Sequence, residues 1–210
     1  MPIDSHLLTL FVVTTLVAMI TPGPDMLFVL GCGIKGGPRA GLLATAGVAS
    51  SEAIHVALAA VGLAALFAAV PTAFVVVRVV GGLYLVYLGV QMIRRRKGGV
   101  ADVPAAGGGM SGRRAYVNGL VTNLLNPKMV TFTLAFLPQF IDPALGRVWL
   151  QFVVLGVLLI VIEFLIDGSV GVLAGRIGGW LRQRHAARRR IDVATGGLFI
   201  GLGFRLAADR

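Results

Sequence analysis

Six long apolar blocks, separated by polar or basic stretches, dominate the pattern of hydrophobic and polar positions along the chain. Each block approaches or exceeds the roughly 20 residues that an α-helix needs to cross the hydrocarbon core of a bilayer. The blocks cover residues 7–34, 41–70, 73–93, 115–141, 148–172 and 191–207. This pattern predicts an all-α, polytopic membrane protein with six transmembrane helices.

Proline interrupts the first block at residues 21–24 and the fourth at Asn126-Pro127. Neither piece of either block is long enough to cross alone, so we predict one broken span in each case. Thr21-Pro22 and Asn126-Pro127 each resemble a helix start, with an N-cap followed by proline at the first helical position. A restarted helix presents backbone N–H groups and a positive dipole end within the membrane. A simple proline kink is the alternative for one break alone, and matched breaks in both halves favour restarts.

The basic residues are concentrated in alternate loops, after the first, third and fifth blocks. By the positive-inside rule these loops are cytoplasmic and both termini lie outside the cytoplasm. The composition agrees, with 57% hydrophobic residues and a mean hydropathy of +0.88. The net charge of +10 therefore indicates topology and contact with anionic lipid, and not nucleic-acid binding.

A glycine-rich stretch divides the single predicted transporter domain into two halves. Residues 98–112 form a linker between repeat one, 1–97, and repeat two, 113–210. Each repeat has three spans, and because three is odd the second repeat must enter the membrane in the opposite orientation. Inverted repeats with broken first helices are typical of secondary transporters.

Four ionisable residues lie inside apolar blocks and are our candidates for proton coupling. Glu52 and His55 share one helical face at a spacing of three, and Glu163 and Asp167 share another at a spacing of four. Such groups cost roughly 2.5–3.5 kcal/mol each in a membrane helix and normally face the bundle interior. His55 is either a hydrogen-bonding partner of Glu52 or a proton relay. The other two histidines lie far from it along the chain, so we predict no metal site.

A second group of residues, at or near the breaks, consists of candidates for substrate binding. Asp25 either stabilises a helix N-terminus or binds substrate, and Lys128 either reaches the membrane surface or serves as counter-ion to an acid or a substrate carboxylate. Asn126 is the expected cap, while Asn123 either holds helices together or binds substrate. The complete group is Thr21, Gly23, Asp25, Asn123, Asn126 and Lys128.

Several motifs together resemble the LysE/RhtB family of bacterial amino-acid exporters, in its homoserine, threonine and leucine branch. They are Ile20-Thr21-Pro22-Gly23-Pro24-Asp25, Glu52 followed by His55, Asn123-Leu124-Leu125-Asn126-Pro127-Lys128, and Phe136-Leu137-Pro138-Gln139-Phe140. The resemblance implies export of a small neutral amino acid across the bacterial plasma membrane, driven by proton antiport and without a cofactor. The chain also lacks the Gly-x-x-x-x-Gly-Lys pattern of nucleotide-binding loops.

Two other classes of function remain open on the sequence. A gated channel or passive facilitator for small polar solutes can use the same broken helices without proton coupling. A membrane-embedded hydrolase needs a nucleophile beside His55, and only Ser50 and Ser51 are near it in sequence, so we expect no enzyme activity. The expected partners are thus an amino acid, protons and lipid, with a homo-oligomer possible.

Overall fold

The computed structural model describes residues 3–21, 23–70, 72–94, 111–176 and 185–208, and within these ranges it is helical without strands. Two short 3-10 helices cover Leu137–Phe140 and Pro143–Leu145. The α-helices of the described ranges are α1 Ser5–Ile20, α2 Pro24–Ala69, α3 Thr72–Arg94, α4 Gly112–Leu124, α5 Pro127–Phe136, α6 Val148–Val172 and α7 His185–Ala208. The all-α prediction is confirmed.

Three helices of the described ranges are long and apolar enough to cross a membrane. They are Asp25–Ala69, Thr72–Gln91 and Val148–Val172, and the apolar helix Ser5–Ile20 is shorter. The count of six spans stays a prediction, as does the linker, most of which lies outside the described residues.

The first break confirms the predicted interruption and corrects its cap. Helix α1 ends at Ile20, and α2 begins at Pro24 with Gly23 as its N-cap. The residue before a proline is disfavoured in the helical region, so Gly23, which precedes Pro24, stays extended and the helix starts only at Pro24. Thr21 is therefore the C-cap of α1, and its predicted role as N-cap was wrong. Pro22 lies outside the described residues.

The second break restarts where the sequence predicts. Helix α4 ends at Leu124 and α5 begins at Pro127. The Asn126 carbonyl accepts hydrogen bonds from the amides of Met129 and Val130, at 3.0 and 3.2 Å, as the residue before a helix does.

Helix α2 reverses direction at Gly37, which has φ 74° and ψ −177°. Such angles are essentially confined to glycine. A Cβ added at either Gly33 or Gly41 would collide with the carbonyl oxygen of Gly171. A straight helix would separate these two glycines by about 12 Å, so the chain must turn back between them. We call the two parts α2a, residues 24–36, and α2b, residues 38–69.

Small residues let three helix pairs pack closely and antiparallel. On α3 and α7, Gly82 faces Gly203 and Gly89 faces Gly196. Residue numbers therefore rise along one helix as they fall along the other, so the two helices are antiparallel. The same order holds for α2b against α4 and for α2b against α6. Their close contacts are Ala44 with Gly119, Gly47 with Tyr116, Gly41 with Gly171, and Val56 with Gly156.

An aromatic cluster fixes the short helix α5 against α1. The Phe11 ring lies 5.6 Å from that of Phe136 and 5.1 Å from that of Phe140, measured between centroids. Phe136 also stacks on Phe132 at 4.6 Å. This packing holds the second break beside the first.

We expect Gly41→Ala to lower the free energy of unfolding by about 1–3 kcal/mol, because the added methyl group meets the Gly171 backbone at 2.6–2.7 Å. The thermal unfolding midpoint in detergent measures the change. Gly62→Ala in the same helix is the matched control, since nothing lies within 4 Å of its added Cβ. Equal losses in the two variants would contradict the close helix contact.

Candidate functional site

A small cavity of about 40 Å³ lies where α1, α2a, α5, α6 and α7 meet. Five of the residues singled out from the sequence line it together: Thr21, Gly23, Asp25, Glu163 and Asp167. The first three belong to the first break, while the two acids are on α6. The cavity has room for only a few water molecules in this conformation.

The three carboxyl groups at the cavity are almost completely buried. Asp25, Glu163 and Asp167 are 7%, 1% and 5% exposed. Glu163 and Asp167 share one face of α6, as their spacing predicts. Ionisable groups are costly in a membrane interior, so this cluster of three acids is the candidate functional site.

The Asn126 side chain joins the second break to the first. Its amide Nδ2 donates to the Asp25 carboxylate at 2.7 Å, across 101 positions of sequence. Hydrogen bonds to a carboxylate are stronger than those between neutral groups. The starts of α2 and α5 therefore lie next to each other. Lys128 is the second residue of α5 at the same place, and its side chain lies outside what the structure describes.

Glu52 and His55 form a separate buried cluster outside the cavity lining. Thr133 of α5 donates its hydroxyl to Glu52 Oε1 at 2.6 Å, while His55 Nδ1 is 3.5 Å from Glu52 Oε2. Glu52 is fully buried. The hydrogen bond from Thr133 is thus the stronger of the two, and the longer contact from His55 is at the outer limit for one.

Helix α5 connects the two clusters. Its residues Met129 and Phe132 line the cavity, and the next residue, Thr133, holds Glu52. A movement of α5 therefore affects both places at once.

Asn123 lies away from the cavity. Its Nδ2 donates to the Val48 carbonyl of α2b at 3.2 Å, and the side chain is fully buried. This contact favours the interpretation that Asn123 holds helices together.

Sequence reasoning missed two hydroxyl residues, Thr133 and Thr195. The Thr195 hydroxyl on α7 lies 2.5 Å from that of Thr21 and 3.4 Å from the Val17 carbonyl, and the residue is 1% exposed. Thr195 precedes the glycine run of the last block, which signals close helix contact. Nothing in the sequence identifies Thr21 as its partner.

Comparison with known proteins gives the family. The model of the LysE type translocators matches residues 16–210. The chain belongs to this family. A leucine efflux protein of Enterobacter sp. is 32% identical to this translocator over 94% of the chain and 93% of its own length. A homoserine/homoserine lactone efflux protein of Salmonella typhimurium is 30% identical over 95% of each.

An uncharacterized membrane protein of Pseudomonas aeruginosa is also similar to the translocator, 31% identical over 94% of the chain and 93% of its own length. No solved structure matches the chain. The family and the membrane character inferred from the sequence are confirmed.

In this translocator we expect Asn126→Ala to lower the free energy of unfolding by about 2 kcal/mol, because a buried carboxylate loses a charge-assisted hydrogen bond. The thermal midpoint of the purified protein in detergent measures it. Asn118→Ala removes an exposed amide from the neighbouring helix and is the control. If both variants melt at the wild-type temperature, the bond does not join the breaks.

Proposed function

We propose that this translocator exports a small neutral amino acid, such as leucine, threonine or homoserine, across the bacterial plasma membrane by proton antiport. The observation that carries the proposal is the buried, three-carboxylate cavity at the meeting point of two restarted helices. An amino acid has a cationic group and an anionic group, and the site offers a partner to each. The names of the two efflux relatives support the class of substrate.

The amino group of the substrate is assigned to the acids. Asp25, Glu163 and Asp167 surround the cavity, and an ammonium group supplies three donors for carboxylate oxygens. Removal from water makes these contacts strong, because the effective dielectric constant inside a protein is low.

The substrate carboxylate is assigned to the helix starts. The first-turn amides of α2 and α5 carry the partial positive charge of a helix N-terminus. Lys128, the second residue of α5, adds a full positive charge in this proposal, and Thr21 and Gly23 shape the approach to α2.

Proton coupling is assigned to Glu52, with Thr133 and His55 as its hydrogen-bonding partners. Because α5 holds Glu52 on one side and lines the cavity on the other, a change in the protonation of Glu52 alters the contacts of the same helix that contacts substrate. Glu163 and Asp167 contribute through the cavity itself, where an exchanged proton and an ammonium group compete for the same carboxylates.

Two inverted repeats explain how such a site opens to each side in turn. In the proposed arrangement α2b corresponds to α6 and α3 to α7, and a two-fold axis in the membrane plane makes corresponding helices antiparallel. Both pairs pack antiparallel along their lengths, which supports the arrangement. The cavity has too little space for an amino acid in this conformation, so the repeats must move apart for substrate to enter.

The proposal also includes the predicted topology. The basic loops face the cytoplasm and its anionic lipids, and both termini lie outside. The small volume of the cavity favours a carrier over the alternative of an open channel.

Replacing Glu52 with Gln is expected to abolish accumulation of radiolabelled leucine in proteoliposomes with an acidic lumen, because the proton carrier is lost while the size of the side chain is kept. Asp142→Asn, in the loop before α6, is the control and retains accumulation. Unchanged accumulation in the Glu52 variant would reject its role. Wild-type protein that equilibrates leucine without concentrating it would indicate a passive facilitator.

A further inference from the structure

We propose that the cavity selects amino acids with an apolar side chain over those with a hydroxylated one, and that Met129, Phe132 and Phe199 form the selecting wall. This inference rests on the proposed export function and adds the class of side chain. The proposed selectivity distinguishes leucine-like substrates from homoserine-like ones. Leucine and homoserine are the amino acids in the names of the two efflux relatives.

The cavity has a polar part and an apolar part. The acids form the polar part. The apolar part includes the side chains of Met129, Phe132 and Phe199, each 3% exposed. Phe132 on α5 and Phe199 on α7 contact each other, with ring centroids 5.9 Å apart. An amino acid whose ammonium group is held by the acids therefore places its side chain against thioether and aromatic surfaces.

The uncharged hydroxyl group that lines the cavity is already engaged. Thr21 shares a 2.5 Å hydrogen bond with Thr195, and the Val17 carbonyl is within reach of both hydroxyl groups. One threonine donates to the other, and the Val17 carbonyl is the acceptor nearest to the second proton, so neither hydroxyl is oriented to donate to a substrate. Among the described lining side chains, the remaining polar partners are the acids that hold the ammonium group.

A substrate hydroxyl that lies against Met129, Phe132 and Phe199 is buried at a cost, because these side chains offer it no good hydrogen-bond partner. Burying a hydroxyl without a good partner costs about 1–3 kcal/mol in proteins, which corresponds to roughly tenfold to hundredfold in binding. A terminal methyl group in the same position instead gains from leaving water. The chemistry of the wall thus favours the apolar member of any pair of similar shape.

The wall also limits side-chain size. Entry of any amino acid into a cavity of about 40 Å³ must separate Phe132 from Phe199 or displace the flexible Met129. The space gained at Phe199 decides how bulky a side chain is accepted.

The test compares norvaline with homoserine, which have the same shape and differ in a terminal methyl or hydroxyl group. Wild-type protein in liposomes preloaded with unlabelled leucine is assayed for counterflow of each labelled compound. We expect a half-saturation concentration about tenfold to hundredfold lower for norvaline. Equal values would overturn the selectivity and leave the export function standing. Absence of counterflow with leucine, norvaline and homoserine alike would reject the export function itself.

A pair of matched variants tests the wall. Phe199→Leu enlarges the cavity and should raise transport of phenylalanine relative to leucine by about tenfold. Phe140→Leu makes the same replacement in the same aromatic core, away from the cavity lining, and should leave the ratio unchanged. Equal shifts, or no shift, in the two variants would contradict the assignment of Phe199. The comparison on wild-type protein needs no variant to fold.

Discussion

A buried carboxylate inside a membrane needs hydrogen-bonding or charged partners. Asn126 supplies one to Asp25 through its side-chain amide. Each break leaves backbone groups that lipid cannot satisfy, so both breaks must face protein or a polar cavity. The bond brings them to one place. Around it the chain assembles the two other acids, Glu163 and Asp167, and the first turns of two helices. The rest of the structure keeps these parts together.

The short helix α5 links the cavity to the buried Glu52. It begins at the second break, lines the cavity through Met129 and Phe132, and holds Glu52 through Thr133. At its other end, Phe136 packs against Phe11 of α1, the helix that ends at the first break. A movement of α1 is therefore transmitted to α5. In the proposed mechanism, substrate and proton influence each other through this one helix of ten residues, without a long route through the protein.

The parts that the sequence predicts are those with a local physical cause. Proline at a break has a direct effect on the backbone, so both interruptions are found where Pro24 and Pro127 begin a helix. At the first break, Thr21-Pro22 has the pattern of an N-cap followed by proline, and only the structure shows that the helix begins at Pro24 instead. Spacing along one helix correctly grouped Glu163 with Asp167.

Contacts between distant segments could not be predicted in the same way. A lone threonine in an apolar helix has no periodic signal, so the partners of Thr133 and Thr195 depend on how helices pack. The close approach of Gly171 to both Gly33 and Gly41 likewise depends on the reversal at Gly37. One sequence indicates that small residues pack closely, but not against which helix.

Leucine binding to purified protein tests the central claim, that the amino acid is held at the joined breaks. Isothermal titration calorimetry would compare wild-type protein with Asp25→Asn, which retains a polar group for Asn126 and removes the negative charge. Asp142→Asn, in a loop outside the cavity, is the control. We predict that Asp25→Asn weakens binding about tenfold or more, as expected for loss of a charged hydrogen bond, while the control binds like wild type. Equal dissociation constants for all three proteins would contradict the account.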